Sequence, residues 1–399
     1  MAVIKPFAAL RPKAELAGKI CELPYDVMSS EEARELAKDN PLSFLHVSKP
    51  EIDLPKDTDI HSAAVYEKGK ENFQRLISQG ALVQDKAPSF YLYRQVMGKH
   101  SQVGVVAAAS CDDYLKGIIK KHEFTRPDKE DDRVRHIEVL NAQTGPAFFV
   151  YRAVPELKAL STEKTAEAPE IDFTAKDGVR HSAWTLPQNL EPIFAKMPCL
   201  YIADGHHRSA AAARVFQARK GAGGSAYFLA VIFAHDEIQI LPYNRVLADL
   251  NGHTPKQLLQ RLGLVFQIDE KGGSPPKAKH ELGFYFEGVW RTLRFRETLT
   301  SGKDPVQTLD VSLLQDHVLE PVFGIDNPRT SQRINFVGGI RGTAELEKLV
   351  NSGEYACAFS MYPTGIDDLM AIADLGGIMP PKSTWFEPKL RDGMFSHLI

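Results

Sequence analysis

Residues 200–213 read LYIADGHHRSAAAA, and this order limits the local fold to a strand, a tight turn and a helix. The opening apolar run suits a short buried strand, Asp204-Gly205 is a turn signal, and the small residues that follow favour a helix. Backbone N–H groups at a helix start have no intrahelical acceptor and carry a partial positive charge. We therefore expect this turn to bind an anion, above all a phosphate.

The polar side chains of the turn have two interpretations. Arg208 offers a planar fork of donors that suits phosphate oxygens, and His206 and His207 can donate hydrogen bonds to a charged leaving group. Asp204 would orient His206 or help to hold Mg²⁺. In the second interpretation, Asp204 only forms the turn by bonding its own backbone, and the stretch is an ordinary strand–helix connection that faces water.

A second segment, KKHEFTRPDKEDDR at residues 120–133, contains the other groups that phosphate transfer requires. Such a transfer needs cations for the phosphates, an acidic residue for the acceptor's proton and carboxylates for a metal ion. Glu123 is the candidate general base, and Lys121, His122 or Arg126 would add positive charge. The other interpretation of such a charge run is a solvated surface.

The third unusual segment is MPPKSTWFEPKL at residues 379–390, which we expect to be a coil. It would either close over an active site or anchor the end of the chain to the domain on which it packs, and we favour the anchor. The sequence contains no GxxxxGK[ST], GxGxxG or GxSxG motif, so neither a P-loop nor a Rossmann site is indicated and a serine hydrolase is disfavoured.

Composition excludes several functional classes. The 399 residues are 43% hydrophobic and 25% charged, as in ordinary globular proteins, and the net charge of −3 gives no basic field for a nucleic-acid backbone. The cysteines, Cys21, Cys111, Cys199 and Cys357, lie too far apart in sequence for a zinc ribbon or a disulfide framework. With no apolar leader and no apolar run of roughly 20 residues, we expect a cytoplasmic protein without a membrane span.

The apolar pattern predicts a mixed α+β chain. We divide it into an N-terminal α+β region at 1–88, a core with the phosphate-binding turn at 89–235 and a C-terminal α+β region at 236–399. The elements that bear on the site are, in order, a strand at 3–10, a helix at 30–38, a strand at 43–48, a helix at 61–78, a hairpin of strands at 89–97 and 102–111, a strand at 147–152, a mobile surface segment at 156–176 and a strand at 227–234.

Five motifs in order along nearly the whole chain resemble the "domain of unknown function 1015" family. They are KPF with RP (5–7 and 11–12), PYDV (24–27), HE with a following Thr125 (122–125), DGHHR (204–208) and PKST (381–384). The name of the family implies no activity.

The middle region is also similar to the ParB/sulfiredoxin-like fold, through Pro192-Ile193, then YIADGHHR at 201–208 and the small helical residues. That group includes sulfiredoxin, the ParB nucleotide switches and an archaeal free-serine kinase, in which such a turn holds nucleotide phosphates with Mg²⁺. The resemblance implies a ParB/sulfiredoxin-like mixed α/β core with additional N- and C-terminal α+β regions. His206 and His207 stand where sulfiredoxin has its cysteine, which disfavours sulfiredoxin chemistry. The acidic balance and the lack of a helix-turn-helix disfavour a ParB-type DNA-binding role.

Residues and resemblance together predict a nucleotide-dependent phosphotransferase, a kinase that acts on the hydroxyl of a small metabolite such as free serine. ATP or ADP with Mg²⁺ would be the cofactor, and the nucleotide and a hydroxyl-bearing metabolite would be the partners. The expected catalytic residues are Glu123, His122 and Arg208. The expected phosphate- or nucleotide-binding residues are Asp204, Gly205, His206, His207, Arg208, Ser209, Lys121 and Arg126, with Asp204 also a metal ligand. Two alternatives stay open, a ParB-type nucleotide switch and a metal-dependent phosphatase or nuclease built on Asp204, His206 and His207.

Overall fold

The structure, a computed structural model, describes residues 1–301 and 304–399. It contains two compact units, one of Met1–Ile238 with Pro388–Ile399 and the other of Gln239–Glu387. Residues 1–88, which the sequence suggested as a separate region, lie within the first unit. The reason is that the first strand pairs with Ala108 and Ala109 of the central sheet.

The first unit combines one large mixed sheet with helices and short strand pairs. Its strands are β1 Ile4–Lys5, β2 Leu10–Pro12, β3 Leu82–Gln84, β4 Phe90–Met97, β5 His100–Ser110, β6 Ile119–Lys120, β7 Ala142–Gln143, β8 Ala147–Tyr151, β9 Ile171–Thr174, β10 Arg180–Leu186, β11 Leu200–Asp204, β12 Tyr227–Ala234 and β21 His397–Leu398. Its α-helices are α1 Ala17–Ile20, α2 Ser30–Ala37, α3 Leu45–Ser48, α4 Ala63–Ser78, α5 Cys111–Leu115, α6 Pro127–Leu140, α7 Pro155–Lys164, α8 Glu191–Phe194 and α9 His206–Arg219.

The order of strands in the large sheet is β6-β11-β8-β12-β5-β4-β10-β9, and β1 pairs with β5. Strand β11 runs parallel to β6 and antiparallel to β8. Because β6 and β11 are parallel neighbours, the residues that follow them emerge at the same edge of the sheet. The start of β8 lies at that edge too, since Phe148 pairs with Asp204.

Helix α9 packs on this sheet through the small residues that follow the turn. Ala210, Ala212 and Ala213 are buried in the same apolar cluster as Phe149 and Ile202 of the strands below. Small side chains let the helix axis approach the sheet closely, so the alanine run fixes the position of the start of α9.

Most expected elements are confirmed, including the hairpin of β4 and β5, helix α4 and helix α2. Ser29 caps α2 in a capping box with Glu32. The strand expected at 43–48 was wrong, because a short apolar run does not distinguish a strand from a buried helix. That segment forms α3, in which Leu45 and Val47 pack into different apolar clusters. The strand expected at 3–10 is reduced to β1 and β2.

The mobile surface segment expected at 156–176 was also wrong. It forms α7 and β9, and β9 pairs with β10. Leu157 is fully buried in the core, and the indole N–H of Trp184 donates to the carbonyl of Glu167. The charged composition of this segment indicated disorder, because the few buried contacts that order it cannot be recognised from composition.

The second unit contains a six-stranded sheet and a separate two-stranded pair. The strands are β13 Gln239–Leu241, β14 Tyr243–Leu247, β15 Phe266–Asp269, β16 Glu281–Phe286, β17 Val289–Phe295, β18 Ile334–Gly338, β19 Cys357–Ser360 and β20 Trp385–Glu387. The α-helices are α10 Pro255–Val265, α11 Glu297–Thr300, α12 Asp310–Leu314, α13 Gly342–Asn351 and α14 Ile366–Asp374. The expected coil at 379–390 therefore includes a strand, β20, which pairs with β13. Along residues 1–301 and 304–399, no helix has both the length and the apolar character that a membrane span requires.

Candidate functional site

The predicted strand–turn–helix is present, and Gly205 makes the turn. Gly205 has a φ of 88°, in the left-handed region, and a Cβ there would lie 3.2 Å from the Cα of Ala147. Helix α9 begins at the next residue, and no side chain of the capping residue bonds its first turn. The N–H groups of His206, His207 and Arg208 therefore have no intrahelical acceptor.

Replacing Gly205 with alanine is expected to lower the free energy of unfolding by roughly 2–3 kcal/mol, since it adds a tight contact with Ala147 to the left-handed strain. Gly178 is the matched control, because its φ is 81° and a Cβ there would meet nothing within 4 Å. Gly178→Ala should cost only the strain, about 1 kcal/mol. Urea unfolding of both variants measures the difference, and equal losses would show that the approach to Ala147 is unimportant.

The parallel pairing of β6 and β11 brings the second charged segment to the turn. Strand β6 ends at Lys120, so His122 and Glu123 emerge beside the start of α9. The Oε2 atom of Glu123 lies 3.9 Å from Nδ1 of His206, and the rings of His122 and His206 have centroids 4.5 Å apart. Two segments about eighty residues apart in sequence therefore meet. Glu123 keeps about half of its side chain exposed.

The two imidazoles beside Glu123 are buried, which favours their neutral form. Burial lowers the pKa of His122 to about 4 and holds the pKa of His206 well below its ordinary value. Nδ1 of His122 and Nε2 of His206 have no hydrogen-bond partner among the described residues. Ligand atoms of His122, Glu123 and His206 all lie within 4.8 Å of one another. Imidazole nitrogen with carboxylate oxygen is a donor set typical of zinc or manganese sites.

Asp204 forms the turn and pairs with a cation. Its Oδ1 accepts the N–H of Gly205 at 2.8 Å, and its Oδ2 accepts from Nζ of Lys389 at 2.9 Å. Burial alone would raise the pKa of Asp204, but Lys389 and Arg208 outweigh burial and hold it below its ordinary value. The hydroxyl of Ser209 donates to the carbonyl of Gly205. The metal-ligand cluster found above does not include Asp204, which differs from the sequence-based expectation.

Arg208 is largely buried, with 10% of its side chain exposed. One terminal nitrogen donates to the carbonyl of Pro146 at 2.7 Å, and the other contacts both carboxylate oxygens of Asp26 at 3.1 Å. Burial opposes the charge of Arg208, but Asp26, Asp392 and neighbouring carboxylates hold its pKa above the ordinary value. The guanidinium that we expected to bind phosphate therefore bonds two neighbouring segments, through the carbonyl of Pro146 and the carboxylate of Asp26.

The remaining expected residues are more scattered. The guanidinium of Arg126 is exposed and pairs with Asp128, while its backbone N–H donates to Nε2 of His207 at 3.1 Å. The ammonium of Lys121 lies 4.0 Å from the centroid of the Tyr114 ring, and burial lowers the pKa of Lys121. His207 is thus held by the backbone rather than turned to the cluster around Glu123.

Sequence reasoning missed two residues of this site. Lys389 lies in the C-terminal segment that we considered as a closing or anchoring coil, and that segment was the only signal for it. Asp392 had no signal. It is buried beside a cavity of about 30 Å³ that Arg208 and Arg133 also line, and its Oδ1 has no hydrogen-bond partner among the described residues. Burial raises the pKa of Asp392 to about 7, although Arg208 lowers it.

The raised pKa of Asp392 makes the free energy of unfolding depend on pH. Between about pH 4 and pH 7 the folded state holds a proton on Asp392 that the unfolded state has released, so this group's contribution to stability falls as the pH rises. From pH 5 to pH 8 the loss should be roughly 3 kcal/mol. Asp392→Asn should remove that loss, as urea unfolding at the two pH values would measure. The same pH dependence in wild type and variant would contradict the assignment.

No curated protein matches this sequence. Among solved structures the chain is similar to SbnI with a C-terminal truncation from Staphylococcus aureus, with 11% identity and a TM-score of 0.40 over 72% of this chain and 85% of that one. It is similar to a conserved hypothetical protein from Pyrococcus furiosus, with 14% identity and a TM-score of 0.35 over 74% of this chain and 95% of that one. A variant of a free serine kinase in complex with AMP shows 14% identity and a TM-score of 0.34 over 71% of this chain and 87% of that one. Similarity at this level transfers no activity to this chain.

One protein family matches most of this chain. The model of the family described as "Protein of unknown function (DUF1015)" matches residues 4–312, which include both segments of the site, the one with Glu123 and the one with Gly205. This range is more than half of the 399 residues. The expectation drawn from the ordered motifs is confirmed, and the chain belongs to the DUF1015 family.

Proposed function

We propose that this protein is a nucleotide-dependent phosphotransferase that transfers a phosphate to the hydroxyl of a small metabolite, free serine being one such acceptor. The observation that carries the proposal is the contact between Glu123 and the first residue of α9, at 3.9 Å. It joins a carboxylate that can accept a proton to a helix start that can bind phosphate oxygens.

Each part of the site has a role in this proposal. The N–H groups of His206, His207 and Arg208 bind the phosphates, and Gly205 lets the backbone make the turn that presents them. Lys121 adds positive charge at the edge of the site, and Mg²⁺ arrives with the nucleotide. Such a transfer relies on positioning and electrostatic stabilisation, which suits a turn held by buried ion pairs.

The proposal gives Arg208 a positioning role rather than direct contact with phosphate. Its two terminal nitrogens already bond Asp26 and the carbonyl of Pro146. A phosphate that bound both terminal nitrogens would have to displace Asp26, and only the buried Nε has no partner among the described residues. The backbone N–H groups require no such displacement, and for this reason they are the preferred phosphate ligands.

A transfer assay tests the proposal. Purified protein is incubated with ATP or ADP, Mg²⁺ and a panel of hydroxyl-bearing metabolites that includes serine, and mass spectrometry detects phosphorylated acceptors. We expect one acceptor class to be phosphorylated with matching consumption of the nucleotide. If no acceptor is phosphorylated, the proposal fails, and nucleotide binding without turnover would instead favour a ParB-type switch.

One observation favours a second candidate, a metal-dependent phosphatase or nuclease. Its ligands would be His122, Glu123 and His206 rather than the expected set of Asp204, His206 and His207, because His207 bonds the backbone of Arg126. Release of free phosphate from a phosphate ester in Mn²⁺ or Zn²⁺, without any acceptor, would support this candidate. The dependence on an acceptor separates the two functions.

A further inference from the structure

We propose that His122, Glu123 and His206 bind one divalent transition-metal ion of the class that prefers imidazole ligands, represented by Zn²⁺. The proposal rests on the arrangement of these three side chains and does not require that the protein transfers phosphate. It differs from the Mg²⁺ that a nucleotide would carry, since Mg²⁺ prefers oxygen ligands.

The distances suit a single ion. Ligand atoms of the three residues all lie within 4.8 Å of one another, and Oε2 of Glu123 is 3.9 Å from Nδ1 of His206. That separation is too long for a hydrogen bond. Ligands at about 2.0–2.2 Å in tetrahedral geometry are separated by roughly 3.3–3.6 Å. Shifts of about 0.3 Å to about 1.5 Å would therefore complete the set.

An independent observation also points to a ligand. His122 and His206 have only 2% and 5% of their surface exposed, yet Nδ1 of His122 and Nε2 of His206 have no hydrogen-bond partner among the described residues. Buried polar side-chain atoms are otherwise nearly always bonded, and an unbonded one costs about 1–3 kcal/mol. A metal ion would satisfy Nδ1 of His122. On His206 it would take either Nε2 or the Nδ1 that lies 3.9 Å from Glu123, since one imidazole gives a single ion only one nitrogen.

Two neighbouring polar residues, His207 and Asp204, have other partners. Nε2 of His207 accepts the N–H of Arg126, and Asp204 pairs with Lys389. The three ligands follow β6 and start α9, two elements fixed by the parallel pairing of β6 with β11. Three protein ligands leave one position of a tetrahedral ion open to water or to a substrate oxygen, as in catalytic zinc sites.

Metal binding affects the proposed phosphotransferase in a defined way. Glu123 is a ligand in the proposed metal site and the general base in the proposed phosphotransferase. A carboxylate that coordinates Zn²⁺ is a poor proton acceptor. Occupancy by Zn²⁺ should therefore inhibit any transfer that depends on Glu123.

Metal titration without nucleotide tests the inference. Protein freed of metal with EDTA is titrated with Zn²⁺ by calorimetry and with Co²⁺ by visible absorption, which reports the ligand geometry. We expect one ion per chain and the absorption bands of four- or five-coordinate Co²⁺ without a thiolate band. His122→Gln and Glu123→Gln should each weaken binding at least about tenfold, since even outer-shell changes cost this much. The matched control, His207→Gln, should bind as the wild type does.

Three results would overturn the site: no binding by the wild type, equal weakening by His207→Gln, or unchanged binding by Glu123→Gln. Circular dichroism and urea unfolding without metal report whether each variant folds. Should His122→Gln fail to fold, Glu123→Gln decides alone, because that side chain is half-exposed and the change is isosteric. The titrations contain no nucleotide, so they test the metal site independently of phosphate transfer. If the protein binds Zn²⁺ but phosphorylates no acceptor, the proposed function is contradicted and the metal site is supported.

Discussion

Replacing Glu123 with glutamine is expected to lower the rate of phosphate transfer roughly 10²–10⁴-fold while nucleotide affinity stays within a few-fold of the wild type. The amide keeps the size and the hydrogen-bonding oxygen of the side chain but cannot accept the proton of the acceptor hydroxyl. The nucleotide phosphates lie at the start of α9 in the proposal and do not contact Glu123. Steady-state transfer rates and the Kd for ADP from calorimetry measure the two effects separately.

Asp128 supplies the matched control for this experiment. It lies five residues further along the same charged segment and pairs with Arg126 at the surface. Asp128→Asn removes the same charge without changing the cluster at the turn, so its transfer rate should stay within about twofold of the wild type, as for other surface substitutions. If both variants lose activity equally, the effect is the loss of negative charge from the segment and not the loss of a base.

Replacing Arg208 with methionine is expected to lower the free energy of unfolding by about 2–3 kcal/mol, less than for a fully buried pair because Asp26 is 40% exposed. Arg208 has 10% of its side chain exposed and contacts Asp26 directly, so its loss leaves that carboxylate without its cation. It also leaves the carbonyl of Pro146 without its donor. This loss of stability is expected even in the absence of nucleotide, because the contacts exist in the protein alone.

Arg214 on the same helix is the control for Arg208. It is 42% exposed and pairs with Glu130 and Asp131 at the surface, where ion pairs contribute about 0–1 kcal/mol. Arg214→Met should therefore change the free energy of unfolding by less than about 1 kcal/mol. Urea unfolding of both variants makes the comparison, and a loss below about 1 kcal/mol for Arg208→Met would show that its ion pairs are not structural.

The sequence predicted the strand, turn and helix of 200–219 well because each depends on neighbouring residues: a short apolar run, a glycine that tolerates positive φ and a run of alanines. The sequence predicted Glu123 as the candidate general base, but it could not predict that Glu123 lies beside the start of α9. That placement comes from the parallel pairing of β6 with β11, and β6 is only two residues long. So short a strand has no periodicity to detect.

The role of Arg208 shows a second limit of sequence reasoning. A guanidinium beside a helix start suggests phosphate binding, but its partners, Asp26 and Pro146, lie 182 and 62 residues away. Lys389 is 185 residues from Asp204. Contacts at such separations are decided by how the whole unit packs, and local patterns do not encode them.

A crystal structure of the protein with ADP, Mg²⁺ and free serine is the most direct measurement of the central claim, that the start of α9 and Glu123 form one phosphate-transfer site. The proposal predicts phosphate oxygens within about 3 Å of the N–H groups of residues 206–208, with the acceptor hydroxyl in hydrogen-bond reach of Glu123. Phosphates bound away from the start of α9, or an acceptor remote from Glu123, would contradict it.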